Sequence, residues 1–168
     1  MAQTTDRIEK QIVLRAPRER VWSAISDARQ FGTWFGVEFE GDFAVGVPLK
    51  GKMVPTKIDE NVAKMQEPHA GMEFRVFVER IEPMRVFAFR WHPYAVDESK
   101  DYTKEQTTLV TFELQEAPGG ILLKITESGF DQIPLERRAE AFTSNDQGWT
   151  EQAKLIQKYL EQFSSEKR

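Results

Sequence analysis

The chain has 168 residues, 40% of them hydrophobic and 30% charged, which predicts a single soluble domain spanning 1–168. The absence of cysteine excludes disulfides, thiolate nucleophiles and zinc–thiolate sites, and it favours a cytoplasmic location. A net charge of −4 argues against a nucleic-acid partner, and the sequence contains no apolar run long enough for a signal peptide or a membrane span.

The first third of the chain predicts a strand, two short helices and a hairpin. Residues 7–15 alternate between apolar and polar side chains, as a half-buried strand does. A proline that suits a first helical turn, followed by apolar residues at helical spacing, predicts helices over about 17–27 and 28–35. Two extended stretches, 37–43 and 49–54, flank a turn that contains glycine and proline, and they should pair with each other.

The middle of the chain predicts a flap followed by two long hairpins. Residues 55–71 are polar and long for a connection, which is typical of a mobile flap. The stretches 71–83 and 85–93 alternate as strands do and are joined by a tight turn. After a charged loop over 93–105, residues 106–130 form a second hairpin around two glycines.

A long C-terminal helix is predicted from Pro134 to about Phe163. Steps of four and three residues give it one inward stripe, in which Asp146 is the only polar side chain. The stripe comprises Leu135, Ala139, Phe142, Asp146, Trp149, Ala153, Ile156, Leu160 and Phe163. The element order predicts an α+β fold, with an antiparallel sheet of six to seven strands and helices at its ends.

Several motifs follow one another in an order that resembles a known family. They are APRERVWSAISD followed by Trp34, FAFRWHP, TLVTFELQEAPGG, ITESGF and the pair Gly148 and Trp149 in the last helix. Together they extend over about residues 7–163. The order resembles the activator of 90-kDa heat-shock-protein ATPase-like family, which lies within the START, polyketide cyclase and birch-pollen-allergen-like (SRPBCC) superfamily.

This resemblance implies a helix-grip fold, in which a curved antiparallel sheet wraps around the C-terminal helix and leaves an apolar cavity between them. The two short helices would close one end of that cavity. Superfamily members bind lipids, sterols, polyketides and other hydrophobic molecules, and some catalyse cyclisation or dehydration. The co-chaperones that give the family its name carry an additional chaperone-binding domain, for which we expect no room in 168 residues.

Three functions therefore stay open at this point. The first is binding of a small hydrophobic molecule, the second is a cyclase- or dehydratase-type enzyme that uses the same cavity, and the third is a co-chaperone-like interaction module. No motif requires a cofactor, and two isolated histidines do not make a metal site. The chain would act as a monomer, or as a homodimer through an exposed Phe39 or Phe43 in the edge hairpin.

Aromatic side chains are the candidate ligand contacts, because small-molecule pockets are mostly apolar. The candidates are Trp34, Phe35, Phe74, Phe87, Phe89, Trp91, Phe142 and Trp149. The alternative is that these rings only fill the core. Phe31, Trp34 and Phe35 follow the first helix between glycines, where the resemblance places the open end of the cavity, which would make them a gate.

The candidate catalytic groups are Asp146 and His92. A carboxylate on a buried helix stripe must be paired, solvated or protonated, so Asp146 could serve as a general base. Alternatively it caps the helix, or the stripe is displaced and Asp146 faces water. His92 could act as a general acid or base at the cavity mouth, or it shares a solvated strand face with Arg90. Glu127 lies on a strand whose face is either wet or borders the cavity.

Overall fold

The computed structural model describes residues 7–96 and 99–163. These residues form seven strands and four α-helices. The elements are β1 (Arg7–Leu14), α1 (Arg18–Ser26), α2 (Ala28–Phe35), β2 (Val37–Phe39), β3 (Pro48–Met53), α3 (Glu60–Gln66), β4 (Glu73–Glu82), β5 (Val86–Trp91), β6 (Thr108–Ala117), β7 (Gly120–Ser128) and α4 (Leu135–Phe163). Short 3-10 turns follow α3 and β7, at Glu67–His69 and Phe130–Gln132.

The seven strands form one antiparallel sheet in the order β1-β7-β6-β5-β4-β3-β2. The first strand pairs with the last one, and the remaining strands follow as a meander. The predicted α+β class, the number of strands and the long C-terminal helix are confirmed. The sheet is curved and α4 packs against it, which is the helix-grip architecture that the motifs implied.

The core lies between the inner face of the sheet, α2 and α4. Strand alternation places Val110 and Phe112 of β6 and Phe87 and Phe89 of β5 on this face, all with at most 1% of their surface exposed. The ring of Phe31, from α2, lies 4.8 to 6.2 Å from six other aromatic rings. Aromatic side chains therefore fill the middle of the sheet–helix space instead of lining an open cavity there.

The edge hairpin differs from the prediction in length and in exposure. β2 ends at Phe39, four residues earlier than predicted. Phe39 and Phe43 were expected to be exposed, but both are partly buried against the core, and the ring of Phe43 lies 4.7 Å from that of Phe87. Their burial removes the apolar contact on which the predicted homodimer depended.

The segment predicted as a flap contains a helix. Asp59 caps α3, because its carboxylate accepts hydrogen bonds from the backbone N–H groups of Asn61 and Val62. Ile58 and Val62 turn their side chains into the protein and are 5% and 7% exposed. The polar composition of residues 55–71 concealed these two apolar anchors, so the helix was missed.

The inward face of α4 is displaced from the predicted stripe. Leu135 is 76% exposed and Ala139 is also exposed, whereas Ala141 is fully buried. Steps of four and three average 3.5 residues per turn while the helix has 3.6, so positions two heptads before Trp149 rotate away by about 40°. Asn145 rather than Asp146 faces the sheet as a result. Within the described residues, no helix is both long and apolar enough to cross a membrane.

Candidate ligand-binding cleft

A cleft of about 450 Å³ opens at one end of the sheet–helix space. Its walls are α3 and the 3-10 turn after it, the start of β4, the end of β5 with the following loop, and the middle of α4. The lining residues are Phe35, Met53, Val62, Met65, Gln66, His69, Met72, Glu73, Phe74, Trp91, His92, Tyr94, Ala95, Val96, Ser144, Asn145, Gln147, Gly148, Glu151 and Gln152. Aromatic and methionine side chains make most of the apolar wall.

Three aromatic rings stand around one part of this wall. Trp91 is the central ring, and its centroid lies 6.1 Å from that of Phe35 and 6.2 Å from that of Phe74. Strand alternation places Trp91 after Phe87 and Phe89 on the inner face of β5, but only Trp91 lies far enough along the strand to reach the cleft. The same strand therefore contributes to the packed core and to the cleft.

A buried carboxylate lies directly beneath the cleft. Glu127 of β7 is 0% exposed and accepts hydrogen bonds from side chains on three other elements. Its Oε2 accepts from Trp91 Nε1 at 2.8 Å and from Thr108 Oγ1 at 2.6 Å. Its Oε1 accepts from Trp149 Nε1 at 2.8 Å, and Asn145 Nδ2 lies 3.0 and 3.1 Å from the two oxygens. The group joins β5, β6, β7 and α4 at one point.

The environment of Glu127 favours its neutral form. Burial raises the pKa of this carboxyl above its ordinary value, and hydrogen bonds from Thr108, Trp91, Trp149 and Asn145 oppose the rise only in part. Among the described residues, no lysine or arginine forms an ion pair with it. Because Trp91 and Asn145 line the cleft and both contact Glu127, this carboxyl holds two cleft side chains in place without itself reaching the surface.

Two glutamine side chains attach α3 and α4 to the end of α2. Gln66 Nε2 and Gln152 Nε2 both donate to the backbone carbonyl of Phe35, at 2.9 and 3.1 Å. Gly36 ends α2 in the left-handed region at φ 99°, and a Cβ there would lie 2.7 Å from Gln66 Oε1, so glycine allows this close approach. Gln152 Oε1 is buried and has no hydrogen-bond partner among the described residues.

An ion pair holds the start of α3, at the opposite end of the helix from Gln66. Lys158 of α4 donates to Asp59 Oδ2 at 3.0 Å, and this hydrogen bond, together with the capping contacts, lowers the pKa of Asp59. α3 is thus fixed to α4 at its start through Asp59 and to α2 at its end through Gln66. The outer wall of the cleft is built from a helix with defined contacts at both ends.

A sequence comparison identifies the family of this chain, and fold comparisons identify structures with the same architecture. The family model described as activator of Hsp90 ATPase homolog 1-like protein matches residues 15–161. The chain belongs to this family, whose short name is AHSA1. Among curated proteins, none matches the sequence significantly.

Solved structures share the fold of this AHSA1-like chain. A protein of Mesorhizobium loti has a TM-score of 0.66 and 20% identity, with 93% of this chain and 97% of that one covered. A protein of Arthrobacter aurescens has a TM-score of 0.71 and 18% identity, with 96% and 90% covered. DynU16, from the dynemicin biosynthetic locus, has a TM-score of 0.63 and 20% identity over 93% of this chain, which spans only 47% of DynU16.

The predicted ligand contacts of the AHSA1-like chain divide between cleft and core. Phe35, Phe74 and Trp91 line the cleft. The other five predicted rings do not line it: Trp34, Phe87, Phe89, Phe142 and Trp149. Trp34 is fully buried and its Nε1 donates to the backbone of Ala24, Phe142 packs on Phe130, and Trp149 donates to Glu127.

The two predicted catalytic groups lie apart from each other. Asp146 forms an ion pair with Lys10 of β1 at 2.9 Å and its side chain is 47% exposed, so its predicted place on the buried stripe was wrong. His92 does lie at the mouth of the cleft, where its Nε2 is 3.2 Å from the backbone carbonyl of Glu105. Its neighbour Arg90 is paired with Glu79 on the outer face.

Sequence reasoning placed one residue of the site only in part and missed several others. Glu127 was left on a strand face that is either wet or borders the cavity, although its inward position follows from the alternation of Ile121, Leu123 and Ile125 along β7. Asn145 and Gln152 depend on the rotation of α4, which the four-three stripe predicted incorrectly. The three methionines of the lining come from three separate segments, so no local pattern connects them.

Proposed function

We propose that this protein binds a small hydrophobic molecule in the cleft. A volume of about 450 Å³ lies within the range of about 300–1,000 Å³ that is typical of small-molecule sites. Aromatic, methionine and valine side chains give the lining a surface that is mostly apolar, as in such sites, and nine polar or charged side chains border it. Membership of the AHSA1-like family, in a superfamily of hydrophobic-ligand binders, agrees with this proposal.

Gly148 is the observation that carries the proposal. It lies inside α4 and lines the cleft, and a Cβ added there would meet no atom within 4 Å. Glycine in a helix interior is about 1 kcal/mol less favourable than alanine, and here neither a left-handed backbone nor a close neighbour requires it. A ligand that lies against the bare backbone of α4 would account for glycine at this position.

Binding, rather than turnover, is proposed because the buried carboxyl group beneath the cleft is enclosed. Glu127 has the environment of a general acid or base, but Trp91, Thr108, Asn145 and Trp149 enclose it. Such a group orients the cleft side chains that donate to it, and no reactant approaches its oxygens while those donors are in place.

A pair of substitutions at Gly148 tests the proposal. The probe is N-phenyl-1-naphthylamine, an uncharged molecule that fluoresces strongly in apolar sites, titrated into the purified protein. Gly148→Phe should weaken the saturable enhancement strongly, because the ring fills the space in front of α4. Gly148→Ala is the matched variant: it places one methyl group in the same space, so it should weaken binding less than Gly148→Phe does, while gaining up to about 1 kcal/mol of stability.

Two results would contradict the proposal. The first is the absence of any saturable enhancement with the wild-type protein. The second is unchanged probe affinity in Gly148→Phe, provided that thermal unfolding shows the variant to be folded, since the probe would then be bound elsewhere.

A further inference from the structure

The charged side chains that line the cleft are all carboxylates. Glu73, at the start of β4, and Glu151, in α4, lie on the lining, while no lysine or arginine does so within the described part of the chain. Anionic head groups such as carboxylate or phosphate would therefore meet like charges and no cation. This charge pattern discriminates between ligands that the apolar wall alone would accept equally well.

The nearest cations do not cancel these carboxylates. Lys50 Nζ lies 3.7 Å from Glu73, and Lys154 Nζ lies 3.7 Å from Glu151, both outside hydrogen-bond distance and outside the lining. The Lys154 side chain is 67% exposed, and exposed pairs of this kind are worth little. Glu151, whose side chain is only 30% exposed, is the better shielded of the two carboxylates and has the stronger effect inside the cleft.

The aromatic wall favours the same sign of charge. Phe35, Phe74, Trp91 and Tyr94 present rings to the cleft, and the faces of aromatic rings attract cations. Trp91 is the strongest of the four for this purpose, and it lies about 6 Å from two of the other rings. Carboxylates beside aromatic faces are the combination that recognises substituted ammonium groups.

From these observations we infer that the ligand is an organic cation, with an apolar body against the rings and methionines and an ammonium group near Glu151. The inference depends on the proposed function, since it names the ligand class of the same cleft. Neutral alcohols of equal length would bind more weakly, and fatty carboxylates most weakly.

Three competitors of equal chain length test the charge preference. Decyltrimethylammonium, decan-1-ol and decanoate are each used to displace N-phenyl-1-naphthylamine, at submicellar concentration and near pH 8, where free imidazole is uncharged. We expect the cation to displace the probe at the lowest concentration and decanoate at the highest. Each cleft carboxylate should contribute roughly three- to tenfold to the affinity for the cation.

Variants of two glutamates in α4 identify the origin of the preference. Glu151→Gln should weaken binding of the cation roughly three- to tenfold and leave the alcohol unchanged. Glu140→Gln is the matched control, because Glu140 is exposed on the same helix and lies outside the cleft. An equal effect of Glu151→Gln on all three competitors would mean that Glu151 acts through structure, which overturns its assigned role.

The outcomes separate this inference from the proposed function. If the probe binds but the three competitors displace it equally, or decanoate displaces it best, the charge inference is wrong and the hydrophobic site stands. If neither the probe nor any competitor binds, both proposals are wrong.

Discussion

Replacing Glu127 with glutamine tests the buried cluster beneath the cleft. Each carboxyl oxygen of Glu127 accepts an indole N–H, from Trp91 at 2.8 Å and from Trp149 at 2.8 Å. Glutamine accepts only one of these, because its other terminal atom is itself an N–H donor. One buried indole N–H would therefore lose its acceptor and face another donor.

The cost of this change follows from the number of unpaired groups. One unpaired buried donor costs about 1–3 kcal/mol. For a chain of 168 residues, each kcal/mol lowers the melting temperature by about 2–4 °C, so a fall of roughly 2–12 °C is expected. Urea unfolding followed by tryptophan fluorescence measures the change, and the slope of unfolding free energy against urea should stay constant.

The same chemical change at an exposed glutamate is the control. The Glu116 side chain is 79% exposed and pairs with Arg18 at 3.1 Å. Glu116→Gln removes a charge there but leaves no buried donor unpaired, so the free energy of unfolding should change by less than about 1 kcal/mol.

The difference between wild type and Glu127→Gln should depend on pH. Burial raises the pKa of Glu127 above its ordinary value of 4.5, so the folded protein holds this proton more tightly than the unfolded chain does. Wild-type stability from this group is therefore highest below about pH 4.5 and decreases as the pH rises towards the folded pKa. The glutamine variant lacks this titration, so the advantage of wild type should narrow across that window.

Two results would refute this reasoning. If Glu127→Gln unfolds at the wild-type urea concentration near pH 4.5, the two indole N–H groups do not require two carboxyl oxygens. If the advantage of wild type instead widens as the pH rises, the hydrogen bonds stabilise the carboxylate more than burial destabilises it.

Two further predictions concern residues that the sequence had marked as site candidates. Trp34→Ala should lower the free energy of unfolding by about 3–5 kcal/mol, because Trp34 is fully buried. Phe35→Leu should lower it by less than about 1.5 kcal/mol but should weaken probe binding. If both variants weakened probe binding equally and neither lost stability, the two rings would act as a gate. Asp146→Asn should change the free energy of unfolding by less than about 1 kcal/mol and leave probe affinity unchanged, because Asp146 pairs with Lys10 outside the cleft. An altered probe affinity would mean that Asp146 takes part in ligand binding.

The strands were predictable because their signals are local. In the β6–β7 hairpin, Ile121, Leu123 and Ile125 alternate within one segment, and Gly119 and Gly120 mark the turn. A strand shows one face to the core at every second residue, so the inward set follows directly from the sequence. The family motifs added the sheet's wrapping around α4, which no single segment specifies.

The rotation of α4 was harder to predict because neighbouring helical positions differ by about 100°. An error of one residue exchanges Asn145 for Asp146, and with them a buried hydrogen-bond donor for a half-exposed ion pair. The apolar residues of α4 are compatible with either Asn145 or Asp146 facing the sheet. Contacts with Glu127 and with Lys10, which lie on β7 and β1, decide between them.

The sequence by itself determined the secondary structure of most segments, the α+β class and the family, because these depend on periodicity, turns and the order of motifs. Only the tertiary structure decided that the middle of the sheet–helix space is packed and that a cleft remains at one end. The cleft is formed where α3, the end of β5 and α4 meet, and these segments are distant in the chain. Its shape depends on how far each side chain reaches into a shared space, which no local pattern records.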